Sequence, residues 1–236
     1  MKHRCFEIAL ALSMVAAAPA APALAEEPGP RIDHYETLSE RGGVLKHGGS
    51  YVRTMSKVTG PGRSRWRVEV EWPDSTGRIR SRQISEAEIG TWAPIWSRVS
   101  ADRDSAALAV VQGRVIGWSV PVAGPTRLID QAMPAGTVAP EFDLEAIAAR
   151  PLVVGYQTTI TSLALMGELQ TRRIRVERAD TVEVAGHLRD CWLVTSPARF
   201  AGDSRLTVWV DRRTRRVWQR RGDFDAFAWV HRLMHP

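Results

Sequence analysis

Cysteine is almost missing from this chain: two in 236 residues, Cys5 and Cys191. That rules out a disulfide framework and any C-x-x-C redox pair. G-x-S-x-G, a phosphate loop and H-E-x-x-H are absent as well, so the common hydrolase, nucleotide and zinc-protease signatures have no foothold. Past residue 25 no apolar run approaches the roughly 20 residues that a membrane helix needs. Internal repeats, heptads and a long glycine-serine linker are lacking too, which leaves 26–236 as one β-rich domain.

The amino terminus is informative. Met1-Lys2-His3-Arg4 is a short basic start, Ile8 to Ala18 is apolar, and Ala23-Leu24-Ala25 has the small-x-small form of a cleavage site. These features predict a signal peptide over 1–25 and a mature protein that begins near Glu26 in the periplasm. Cys5 precedes the apolar stretch rather than the cleavage point, which argues against a lipid anchor. The formal net charge is +6, or about +5 without Lys2, Arg4 and Glu7, and nearly all of the positive charge is arginine. Such a balance suits anionic partners; export argues against nucleic acid among them.

The mature chain alternates in the strand period. In 65–72, Trp66, Val68, Val70 and Trp72 alternate with charged residues, 73–77 supplies turn chemistry, and Arg78, Arg80 and Arg82 return opposite Glu69 and Glu71. Similar runs recur near 31–38, 50–58, 95–101, 106–112, 114–120, 154–163, 170–178, 188–196, 204–211 and 214–221. The stretch 121–140 reads as a long connection, and 224–234 is ambiguous between strand and helix. Only 140–149 is helical in pattern, with Leu144, Ile147 and Ala148 on one face and Arg150-Pro151 as its stop. The expected fold is mainly β: a curved antiparallel sheet or incomplete barrel with one short helix on its concave side.

Residues 182–194 bring His187, Asp190 and Cys191 close in sequence. On a strand, Asp190 points away from Cys191, and His187 lies four residues, about 13 Å, along it. A nucleophile and its base must approach to about 3 Å, so these neighbours form no dyad; a distant histidine, His34, His47, His231 or His235, is the alternative partner across the sheet, and Cys191 reads as a buried structural thiol. Glu86, Glu88, Asp102 and Asp104 have no spacing that assigns acid and base roles, and Asp33-His34 lacks further metal ligands. No catalytic, cofactor or metal site is expected, and the expectation is a protein without enzymatic activity, with a hydrolase or thiol enzyme as the competing class. The unusual segment is 205–223, with seven arginines and two tryptophans. With Arg212-Arg213 as a two-residue turn, Trp209, Arg216 and Trp218 gather on one side, and Trp209, Arg213, Arg216 and Trp218 become a candidate docking surface. A solubilising hairpin is the plainer alternative.

"AIAARPLVVGYQTTI", "RIRVERADTVEVAGHLRDCWLV" and "LTVWVDRRTRRVWQRRGDF" resemble the carboxyl-terminal half of a family of exported bacterial proteins labelled as a domain of unknown function. The likeness extends more weakly upstream, over about 32–223. Members are similar in shape to half-barrel lipoprotein carriers, so the resemblance implies a curved sheet able to hold an acyl chain; it assigns no site residues. The functional expectation is a periplasmic binder of an apolar or amphipathic, lipid-like ligand. The alternative is an envelope interaction protein that docks its basic hairpin on an anionic or protein partner.

Overall fold

The computed structural model describes residues 28–235 apart from 61, 103, 201 and 202, and the side chain of residue 235 is outside the description. The expected signal peptide therefore lies outside the described residues. Fourteen strands form one antiparallel sheet with one short helix. The first eight run as a meander: β1 (Arg31–Arg41), β2 (Val44–Gly60), β3 (Arg63–Pro73), β4 (Ile79–Glu88), β5 (Pro94–Ala101), β6 (Ser105–Val111), β7 (Arg114–Val120) and β8 (Arg127–Ala132). After α1 (Asp143–Ala148) a second meander follows: β9 (Gln157–Leu163), β10 (Leu169–Val184), β11 (His187–Ser196), β12 (Arg205–Asp211), β13 (Val217–Asp223) and β14 (Ala228–His235). The two meanders join where β1 pairs with β14, which leaves β8 and β9 as the outer edges.

Local chemistry explains most of these elements. Trp66, Val68 and Val70 are buried while their neighbours are half-exposed, as alternation requires. Arg82 lies opposite Glu71 and donates from Nε to Glu69 Oε1 at 2.5 Å, so the hairpin forms with the expected charge pairing. Between β10 and β11, Ala185 (φ 51°) and Gly186 (φ 76°) are both left-handed, the geometry of a two-residue hairpin turn that matches strand twist.

The sheet curls until its edges face each other but does not close. Gln131 Nε2 of β8 donates to Gly167 O at 2.5 Å, and Leu163 packs with Leu108 and Val115. No strand ladder joins β8 to β9. The space inside the curve holds residues 134–152, where Phe142 and Leu152 are fully buried. The short segment around α1 touches β1, β2 and β13 as well as the residues before β5, a set only the interior of the curve brings together.

Two expectations need correction, for 121–140 and for the helix, and the open reading of 224–234 is resolved. Residues 121–140 are not a plain connection, since they contain edge strand β8, and 224–234 resolves into β14, a central strand. The helix is shorter than 140–149 and is not one-faced, because Glu145 is buried with Leu144, Ile147 and Ala148. Among the described residues no helix is long and apolar enough to cross a membrane.

Candidate functional site

The concave side carries an unusual amount of charge. Register places Asp33 of β1 opposite Arg53 of β2 and Tyr35 opposite Tyr51, with all four side chains buried. Glu145 of α1 descends onto this wall. Arg53 Nη2 donates to Glu145 Oε2 at 2.7 Å and to the Glu141 carbonyl at 2.7 Å, while Arg31 Nη2 reaches Glu145 Oε1 at 2.5 Å. Arg31 Nε also donates to Asp33 Oδ2 at 2.9 Å, and Arg216 pairs with Asp33 Oδ1. Burial alone would raise the Glu145 pKa, but Arg53 and Arg31 outweigh it and hold the carboxyl below its ordinary value. Three guanidiniums against two carboxylates form one desolvated network that fixes the helix segment to the sheet.

Beside it runs a row of rings. Tyr35 and Tyr51 stack at 4.9 Å, Tyr51 and Trp72 at 4.2 Å, and His231 of β14 meets Tyr51 edge-on at 5.2 Å. Arg220 Nε approaches His231 Nδ1 at 3.0 Å and the Tyr51 hydroxyl lies 3.1 Å from the same atom. Arginine can only donate, so Nδ1 accepts and the ring proton belongs on Nε2. Burial, reinforced by Arg220, drives the His231 pKa down to about 2. The ring is a neutral acceptor over the physiological range, and its lone pair is already occupied.

Two clefts flank the helix segment. One, about 260 Å³, lies between Leu144, Glu145 and Ala148 and the Arg31, Arg216 and Val217 side. The other, about 210 Å³, is lined by Leu163 and Leu165 together with Arg220, Gln170 and Glu141. Glu141 adopts φ 64°, a conformation that costs a residue with a side chain on the order of 1 kcal/mol. Burial raises its carboxyl pKa, opposed in part by Arg220. The clefts can thus offer apolar walls beside charged groups.

The fold and these clefts can be set beside known proteins. A family model described as a protein of unknown function (DUF3108) matches residues 49–227. The chain belongs to the DUF3108 family. No curated protein matches it. A beta-barrel-like protein of domain of unknown function DUF1849 from Brucella abortus shares the fold at 11% identity and a TM-score of 0.53, over 87% of this chain and 96% of that one. The hypothetical lipoprotein YmcC from Escherichia coli is more distant, at 12% identity and a TM-score of 0.32 over 86% and 84% of the two chains. So is a domain provisionally named as an outer membrane lipoprotein-sorting protein from Vibrio parahaemolyticus, at 7%, 0.30, 89% and 86%.

In this DUF3108 chain the residues singled out from sequence are dispersed. The turn after β12 has five residues, 212–216, rather than two, and a register shift between Trp209 and Val210 sets Gln219 opposite Trp209. Trp209 consequently parts from the other two and donates from Nε1 to Asp180 Oδ2 at 3.1 Å. Trp218 is buried, donates to Asp211 Oδ2 at 2.8 Å, and carries the Arg216 guanidinium 5.4 Å from its ring centre. Only Arg213 of the four is exposed. Cys191 has no exposed surface, and burial, with Asp211 next in effect, raises its thiol pKa to about 12. Among the described residues no group of three potential ligands is placed to hold a metal ion. Glu145, Arg53 and Arg220 were missed, and His231 was weighed only as a partner for Cys191 rather than for Tyr51 and Arg220, because their neighbours come from far along the chain; the one local sign was a glutamate inside the only helical pattern.

Proposed function

We propose that this protein is a non-catalytic binder of an apolar or amphipathic, lipid-like ligand, delivered to the periplasm as one β-rich domain, 26–236, after removal of 1–25. The observation that carries the reading is the concave side itself, where two clefts flank the helix segment and one of them sets Leu163 and Leu165 beside partly exposed Arg220. Each cleft is smaller than the roughly 300 Å³ at which small-molecule sites usually begin. Ligand entry therefore requires the 140–149 segment to shift, which merges the clefts. The contacts from Arg53 to Glu145 and to the Glu141 carbonyl are the restraint that an incoming ligand must loosen. A protonated Cys191 thiol and a His231 whose lone pair is committed both favour binding over catalysis.

Native mass spectrometry of protein purified gently from the periplasm, followed by lipid extraction, tests the proposal. A defined acyl or phospholipid adduct is the expected result, together with uptake of a fluorescent acyl probe that increases in Glu145→Gln. Delipidated protein with no adduct and no probe uptake, in parent and variant alike, would remove the basis for a ligand.

A further inference from the structure

Arginines elsewhere on the surface mostly have acidic partners: Arg172 and Arg199 share Asp203, and Arg221 joins Glu40 and Asp223. One rim differs. Arg189 at the start of β11 and Arg212, Arg213 and Arg215 in the turn after β12 border a concavity of about 730 Å³, and none of the four forms an ion pair among the described residues. Two of their donors, Arg189 Nε and Arg215 Nη1, are buried without a hydrogen-bond acceptor. The Arg212 guanidinium carbon lies over Trp192 at 4.6 Å from the ring centre, and that of Arg189 over Trp218 at 5.0 Å. A ring contact restrains a guanidinium without using up its N–H donors, which stay available to an oxygen-rich anion.

The carboxylates at this rim do not cancel the charge. Asp190 and Asp211 also border the concavity, so four positive against two negative charges leave +2. Asp211 is further committed to the turn, accepting from the backbone of Arg213 at 2.9 Å and Thr214 at 2.7 Å. Apolar side chains border the same concavity: Leu188 is 74% exposed and Val153 52%. Exposed aliphatic groups among unpaired arginines are the composition of a surface that lies in a lipid interface.

We propose that this rim docks on an anionic bilayer, with the four arginines on phospholipid head groups and Leu188 and Val153 at the acyl boundary. The site is separate from the concave ligand clefts and stands whether or not these bind anything.

The test is co-sedimentation of the mature protein with vesicles of phosphatidylcholine alone and mixed with phosphatidylglycerol. Binding is expected only with the mixed vesicles, weakening as salt rises from about 0.1 M to about 1 M and the screening length falls from about 10 Å to about 3 Å. Each arginine near an anionic surface contributes about fivefold in affinity, so Arg212→Ala with Arg213→Ala should lower it about thirtyfold. Leu188→Asp should weaken binding without changing the melting temperature, and none of these variants should alter acyl-probe uptake. Equal binding to neutral vesicles, no binding at low salt, or unchanged affinity in the double variant would each overturn the proposal. Full competition by inorganic phosphate at the same phosphate concentration would point to a free-anion pocket and overturn it too. Retention on polyglutamate without vesicle binding would assign the rim to an acidic protein and do the same.

Discussion

Arginine works in two opposite settings in this molecule. Inside the curve, Arg31, Arg53 and Arg216 are held by Glu145 and Asp33, two buried carboxylates. At the rim, Arg189 and Arg212 lie against aromatic rings, and neither they nor Arg213 and Arg215 have an ion-pair partner among the described residues. An interior charge in a network is costly to strip of one partner, whereas a rim charge in water contributes little to folding and remains free to bind. The largest test of this contrast is Glu145→Ala, which leaves Arg53 buried with the Glu141 carbonyl and with Asp33 at 3.8 Å. A loss of about 3–5 kcal/mol in urea unfolding is expected. Replacing both partners, Arg53→Met with Glu145→Leu, should recover most of it. A single variant as stable as the parent would show that the interior network is no more structural than the rim.

The interior is also close-packed around its charges. Arg220 lies over Trp229 at 5.6 Å from the ring centre, and on the cross-strand partner Gly222 a Cβ would come within 2.4 Å of the same ring. Gly222→Ala must push Trp229 aside and should cost about 1–3 kcal/mol, read as a lower melting temperature. An unshifted melt would mean that the ring has room to move and that the interior is looser than the network implies.

Most of the strand pattern was legible in the sequence because alternation is a local signal, as in 65–72, and so were the turn at Gly186 and the burial of Cys191. What escaped depends on pairing over long separations. In β14 the buried positions are Ala228, Val230 and Leu233, and its register shifts against β1 between His34 and Tyr35, so the period-2 signal is broken. Strand β8 is an edge with Leu128 87% exposed, and it has no buried face to announce it. The bulge that separates Trp209 from Trp218 likewise has no local marker, and one extra residue is enough to change which side chains meet. Glu145 carries no local mark beyond its place in the helical pattern 140–149; its partners Arg53 and Arg31 stand 92 and 114 residues away.

The contrast can be sharpened by pH. His231 stays neutral in the folded protein down to about pH 2, whereas an unfolded histidine takes up a proton near pH 6.5. Below that value the unfolded chain binds more protons, so stability falls as pH drops, by up to about 1.4 kcal/mol per pH unit for this one group. Between about pH 6.5 and 5 ordinary carboxylates stay ionised, and the raised Glu141 carboxyl acts in the opposite sense, taking its proton first in the folded state. His231→Asn keeps an acceptor where Nδ1 stands but cannot titrate. Its stability should therefore lose this slope; a variant with the parent's slope would mean that another group carries it.

The smallest effect is expected at the rim. Arg213 is exposed, its side chain forms no ion pair, and the bond that shapes the turn comes from its backbone N–H to Asp211. Arg213→Ala keeps that bond, and Arg212 remains on Trp192, so the turn has no reason to open. The change in unfolding free energy should stay within about 0.5 kcal/mol, the range of surface substitutions away from special features. Removing one positive charge from a rim with a surplus of its own sign could even be slightly stabilising. A loss of several kcal/mol would place Arg213 with the interior arginines and erase the distinction between the two settings; a null effect on folding, beside weakened vesicle binding, is the signature of a charge kept for a partner.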